Sequence, residues 1–64
     1  MISPLASVDS TAKIGKNVTI QPFAYIEGDV EIGDDCVIMS NASILKGTRL
    51  GKGNKVHHGA VLGS

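Results

Sequence analysis

Two adjacent histidines, His57 and His58, and a single cysteine, Cys36, are the side chains best suited to proton transfer, metal ligation or nucleophilic attack. Imidazole titrates near neutral pH and ligates zinc, and a thiolate serves as nucleophile or ligand. The spacing argues against each use. Neighbouring residues of an extended strand point to opposite faces, so His57 and His58 do not converge on one ion as a pair two apart would. They follow the aliphatic Val56 in a stretch that reads as a surface corner, and solvated corner residues are the expectation. Cys36 stands where the pattern wants a small inward side chain, which predicts an inert core position. The sequence therefore assigns no catalytic, cofactor-binding or metal-binding residue.

What would position such groups is written more strongly. Every sixth residue is a branched aliphatic: Ile2, Val8, Ile14, Ile20, Ile26, Ile32, Ile38, Ile44, Leu50, Val56 and Leu62. Two residues before them stand Ala6, Ala12, Val18, Ala24, Val30, Cys36, Ala42, Thr48, Asn54 and Ala60, all small or uncharged. Residues two apart in a strand share a face, so each six-residue unit turns one small and one large side chain inward. None of the six basic and six acidic residues occupies either position. A helix would want its aliphatics to recur at three- and four-residue spacings, and the unbroken period here is six.

A second period of eighteen lies over the first. Gly15, Gly33 and Gly51 obey it, as do Ala6, Ala24, Ala42 and Ala60. Three six-residue units bring the chain back to an equivalent place, which predicts a parallel β-solenoid of about three and a half triangular coils and no helix. Residues 1–64 read as one such segment. Ile20, Ile26, Ile32, Ile38 and Ile44 are expected fully inside, on ladders that restart every eighteen residues. The glycines follow the aliphatics, where positive φ is expected of them. Asn17, Asp29, Asp34, Asp35, Asn41 and Asn54 fall in the same corners. Tyr25, Val37, Met39, Leu45 and Val61 should face outward and suit a subunit interface.

Formal charge cancels at pH 7 and neither sign forms a run, which speaks against nucleic acid or an anionic membrane as partner. No apolar run reaches the ~18 residues of a membrane span. The start, Met-Ile-Ser-Pro, lacks the basic and apolar regions of a secretory signal, and one cysteine forms no internal disulfide. A cytoplasmic location is the default expectation. A solenoid buries each coil only against its neighbours, so a segment this short is expected to continue into further coils or to lean on partners.

Ile14-Gly15, Ile26-Glu27, Ile32-Gly33, Leu50-Gly51 and Leu62-Gly63 follow the aliphatic-then-Gly/Glu pattern of hexapeptide repeats. The chain resembles the hexapeptide-repeat acyltransferase superfamily, which implies a left-handed parallel β-helix; the period itself is silent on hand. The stretches "MISPLASV", "AKIGKNVTIQPFAYI", "VEIGDDCVIMSNASI" and "GTRLGKGNKVHHGAVLG" most resemble the UDP-N-acetylglucosamine acyltransferases of lipid A synthesis. Pro22-Phe23 and the immediate entry into the repeat carry that finer likeness. The acyltransferase of the third lipid A step has a similar repeat after an extra domain, for which no room is expected here.

The resemblance implies transfer of a 3-hydroxyacyl group from acyl carrier protein to the 3-hydroxyl of UDP-N-acetylglucosamine, by a histidine base, in a homotrimer. No residue of this chain matches that base or the nucleotide contacts, and the 64 residues alone are expected to be inactive. A γ-class carbonic anhydrase shares the fold but needs three histidines for its zinc. Lys13, Lys16, Arg49, Lys52 and Lys55 would suit phosphopantetheine or an acidic carrier protein. Asp34 and Asp35 share stacked corners with Lys16 and Lys52, so ion pairs between coils are the plainer expectation. A non-catalytic assembly module is the alternative function, and the outward residues before the aliphatics form no threonine ladder of the kind that binds ice.

Overall fold

A computed structural model describes residues 1–63. Ten two-residue strands follow one another along the chain: β1 Ser7–Val8, β2 Lys13–Ile14, β3 Thr19–Ile20, β4 Tyr25–Ile26, β5 Glu31–Ile32, β6 Val37–Ile38, β7 Ser43–Ile44, β8 Arg49–Leu50, β9 Lys55–Val56 and β10 Val61–Leu62. Every strand ends on one of the period-six aliphatics. Pairing is parallel and joins each strand to the third after it, giving sheets β1-β4-β7-β10, β2-β5-β8 and β3-β6-β9. Registers are offset by eighteen residues throughout, as in Ile14 against Ile32 and Ile32 against Leu50. Ile2 extends the third sheet by a bridge to Ile20. The chain therefore winds as a three-sided parallel solenoid, and no helix occurs among the described residues.

The core is the two inward positions of each six-residue unit. Ile20, Ile26, Ile32, Ile38 and Ile44 are at most 2% exposed, with Val30, Cys36, Ala24 and Ala42 between them. β-Branched side chains suit this axis because their restricted rotamers stack in register on a pleat. Burial fades towards both ends. Val8, Ile14, Leu50 and Leu62 are half-buried, Ile2 is 45% exposed, and Asn54 lies exposed instead of inward. A ladder position flanked by a coil on one side only is less well covered, although Val18 and Val56 stay buried at their ladder ends, at 4% and 6% exposed.

The corners correct one expectation. Positive φ falls three residues after the aliphatic, at Asn17, Phe23, Asp29, Asp35, Asn41, Gly47, Gly53 and Gly59, and one residue after it at Gly63 alone. Gly15, Gly33 and Gly51, also one residue after it, are not among them. At Gly15 and Gly33 the absent side chain serves close stacking instead. A Cβ on Gly33 would stand 2.7 Å from the backbone nitrogen of Lys52 and 2.8 Å from the carbonyl carbon of Gly51. Asn and Asp tolerate the left-handed region, so most corners satisfy ordinary turn chemistry. Phe23, at φ 68°, does not.

Candidate functional site

The histidines sit on the edge of the prism where the chain passes from sheet β3-β6-β9 to sheet β1-β4-β7-β10. Equivalent corners stack there, with Gln21-Pro22, Met39-Ser40 and His57-His58 one above another. Both histidines are exposed, and His58 Nδ1 lies 3.3 Å from the Ser40 carbonyl oxygen. Among the described residues no group of three or more His, Cys, Asp or Glu side chains comes together in a way that could hold a metal ion. Cys36 is fully buried, and its thiol donates to the Gly51 carbonyl at 3.1 Å. Each residue singled out for reactivity is therefore a corner or core residue.

The charged groups do something other than the ion pairing expected of Asp34 and Asp35. Asp34 Oδ1 accepts from the Lys16 backbone amide at 2.7 Å, and Asp35 Oδ1 accepts from Asn17 Nδ2 at 3.0 Å. These carboxylates fasten one corner to the corner beneath, with backbone amide and side-chain amide as partners in place of the lysine ammonium groups. A corner turns its amides outward, and a short Asp reaches the coil below more easily than a long Lys reaches back. Ion pairs form one edge away, where Arg49 meets Asp29 at 2.9 Å and Glu31 at 3.6 Å. The same guanidinium also donates to the Asp29 carbonyl. All three side chains are about half exposed, so each pair contributes at most about 1 kcal/mol.

Two shallow grooves run across the faces. One, of about 370 Å³, is lined by Ser7, Val8, Asp9, Tyr25, Ile26, Glu27, Gly28 and Lys46. Tyr25 donates its hydroxyl to Glu27 at 3.1 Å, and the carboxylate holds the phenol above its usual value. Asp9 accepts from the Thr11 amide at 2.9 Å and its hydroxyl at 2.7 Å, which hold the carboxyl below its usual value. Tyr25 thus stays protonated and Asp9 ionised near neutral pH, and neither is tuned for proton transfer there. The other groove, of about 340 Å³, is lined by Lys13, Ile14, Gly15, Glu31, Ile32, Gly33 and Leu50. Thr11 beside Asp9 and Tyr25 beside Glu27 are the hydroxyls that donate to carboxylates on the face of the first groove.

Of the outward apolar residues expected at an interface, Tyr25 and Val61 are 45% and 56% exposed, while Val37, Met39 and Leu45 are half-buried. Leu5 and Phe23, eighteen apart, are exposed as well, and sequence reasoning passed over both. Pro suits the second position of type I and type II turns alike, and the equivalent Pro4-Leu5 corner leaves Leu5 out of positive φ, so the sequence did not mark Phe23 for it. The turn is closed by the Ala24 amide donating to the Gln21 carbonyl at 3.3 Å.

Residues 11–42 and 29–64 match the bacterial transferase hexapeptide (six repeats) family. Acyl-(acyl-carrier-protein)–UDP-N-acetylglucosamine O-acyltransferases of Brucella ovis and Brucella canis are each 39% identical over 62 residues, 97% of this chain and 22% of theirs. The chain thus spans about a fifth of the length of these relatives. UDP-N-acetylglucosamine acyltransferase from Campylobacter jejuni superposes with a TM-score of 0.98 at 34% identity, over all of this chain and 25% of that one. A coil of opposite hand would not superpose so closely, and the solenoid is the left-handed β-helix that the resemblance implied. By repeat, register and hand, the chain belongs to the bacterial transferase hexapeptide family.

Proposed function

We propose that this chain supplies the first coils of a UDP-N-acetylglucosamine acyltransferase, an enzyme of lipid A synthesis. The reaction would move a 3-hydroxyacyl group from acyl carrier protein to the 3-hydroxyl of UDP-N-acetylglucosamine. The observation that carries this reading is the superposition of the whole chain on one quarter of the Campylobacter jejuni enzyme, at a TM-score of 0.98 and 34% identity. Identity of 39% to the two Brucella enzymes over nearly the full chain supports it independently. In this reading the coils are scaffold: they fix the axis on which later coils stack, and the reacting groups lie beyond them. A side-by-side homotrimer in the cytoplasm completes the proposal. The outward Tyr25 and Val61 support the first part, and an unpaired, buried Cys36 suits a reducing compartment.

Two assays test it. Purified chain should give no turnover of 3-hydroxyacyl carrier protein with UDP-N-acetylglucosamine. A chimera in which residues 1–63 replace the superposed quarter of the Campylobacter jejuni enzyme should transfer the acyl group. A chimera that folds and assembles like its parent but transfers nothing would count against the scaffold role. It would favour a non-catalytic assembly module.

A further inference from the structure

Charge is banded along the axis of the solenoid. Residues 19–36, one full coil, hold five acidic residues from Glu27 to Asp35 and no Lys or Arg. Residues 37–55 hold four basic residues from Lys46 to Lys55 and no Asp or Glu. Residues 1–18 hold Lys13 and Lys16 against one acid, Asp9. The net sign therefore runs positive, negative, positive from coil to coil, although the whole chain is neutral.

This order discriminates where the aliphatics do not. Aliphatics recurring every six residues meet one another at offsets of twelve, eighteen, twenty-four and thirty-six alike. At eighteen, Lys13 stands against Glu31 and Glu31 against Arg49 on one ladder. The same offset brings Lys16 to Asp34 and Asp34 to Lys52 in the neighbouring corners. Its one like pair is Asp9 with Glu27, and hydroxyls of Thr11 and Tyr25 donate to those carboxylates. An offset of twelve keeps a single opposite pair, Asp34 with Lys46, and twenty-four keeps only Glu31 with Lys55. An offset of thirty-six, which lays the first coil on the third, sets Lys13 against Arg49 and Lys16 against Lys52. Stacked strands are about 4.8 Å apart and the screening length is about 8 Å at physiological salt. Charges on adjacent coils thus act on one another even where no ion pair closes. One does close, from Arg49 to Glu31 at 3.6 Å and to Asp29 at 2.9 Å, both on the acidic coil.

We infer that the acidic coil between two basic ones is a register lock, favouring the eighteen-residue offset over the others that the aliphatic period admits. Opposite charges across a sheet stabilise and like charges destabilise. A slipped coil gives up at least three of the four opposite pairs, and one that skips a coil brings two repulsive pairs in their place. A slip of one six-residue unit would turn every later coil by one face, so the lock keeps the faces of successive coils in line. The inference concerns the coils alone and does not rest on acyl transfer.

Urea unfolding of the full chain, followed by circular dichroism in low salt and in 1 M NaCl, tests this on the exposed ladder Lys13–Glu31–Arg49. Glu31→Lys makes that ladder all positive, at a strand position where Lys13 and Lys55 already stand. Its midpoint in low salt should fall by about 1 M, and Glu31→Gln, which only removes the attraction, should fall about half as far. In 1 M NaCl the gap between the two variants should shrink at least about twofold. Reversing all three signs, as Lys13→Glu with Glu31→Lys and Arg49→Glu, restores alternation and should recover at least about half of the loss. Equal midpoints for Glu31→Lys and Glu31→Gln, or a gap that salt leaves unchanged, would overturn the lock. So would a sign-reversed chain no more stable than Glu31→Lys, since Glu31 would then act through its own packing. Should Glu31→Lys fail to fold in low salt, folding regained in 1 M NaCl supports the lock and continued failure there, with Glu31→Gln as stable as wild type, overturns it.

Discussion

Replacing Gly33 by alanine should loosen the stack of coils, whereas the same change at Gly51 should not. The added Cβ at Gly33 meets the Lys52 nitrogen at 2.7 Å, the Gly51 carbonyl carbon at 2.8 Å and the Lys52 Cα at 3.0 Å. All three are backbone atoms, so no rotamer relieves them. Ordinary contact needs about 3.4 Å, and the coils must part by roughly half an ångström at this corner. Two inter-coil bonds flank it, Gly33 N–H to the Leu50 carbonyl and Gly53 N–H to the Asp34 carbonyl, each at 2.9 Å. Stretched by that much they leave the good hydrogen-bond range, at about 1 kcal/mol each. Overpacking adds about 1–3 kcal/mol, and the stiffer unfolded chain returns about 0.4–1 kcal/mol. The net cost is about 2–5 kcal/mol. At Gly51 the nearest atom is Asn54 Nδ2 at 3.9 Å, so only the unfolded-state gain remains. Urea unfolding followed by far-ultraviolet circular dichroism separates the two, with about 1 kcal/mol per molar expected for the slope of so small a chain. Gly33→Ala should lower the midpoint by about 2 M or abolish the transition, and Gly51→Ala should leave it or raise it slightly. Equal midpoints for both variants would refute the close-stacking role.

Ile32→Asp would put a carboxylate in a 2%-exposed position between Ile14 and Leu50, and should cost several kcal/mol; an unchanged circular dichroism melt would contradict the inward ladder. Phe23→Asn should relieve the left-handed strain and stabilise the chain by about 1 kcal/mol, read as a higher urea midpoint at dilutions where only single copies are present. Asp9 is held below its ordinary value of 3.8 by the Thr11 bonds, so it stabilises the fold above that value and ceases to as pH falls through its lowered value. Asp9→Ala should lower the urea midpoint at pH 6 and leave a smaller further fall between pH 6 and pH 3 than in wild type; an identical fall in both would exclude the contribution.

The isoleucine ladders were legible because burial at a fixed two-residue phase leaves a direct mark on composition: the inward partners of Ile20 and Ile38, two residues earlier, are Val18 and Cys36. Number of coils, pairing by eighteen and the core members followed from that mark alone. Hand did not, since left- and right-handed coils place the same residues inward. Glycine was readable as a requirement but not as a reason. At Gly33 the reason is a neighbouring coil and at Gly47 a positive φ, and one letter stands for both. Asp34 was misread because a carboxylate beside a lysine in stacked corners suggests an ion pair, while the nearer donor is the backbone amide of Lys16. Phe23 was passed over for the opposite reason. Its strain comes from the turn that Pro22 begins, and an aromatic letter gives no warning of positive φ.

The fold depends on one register, eighteen residues from coil to coil. Amide hydrogen exchange followed residue by residue tests it most directly. In this register Val37 and Met39 donate to the carbonyls of Asn54 and Val56, and Ser43 and Leu45 to those of Ala60 and Leu62. Those four amides should exchange slowly, together with Tyr25 and Glu27, which donate to Ala42 and Ile44 in the coil between. The amide of Asn41, a turn residue between Met39 and Ser43, should exchange fast. Protection that runs through successive residues 37–45 without this interruption, or fast exchange at both Val37 and Met39, would contradict the register.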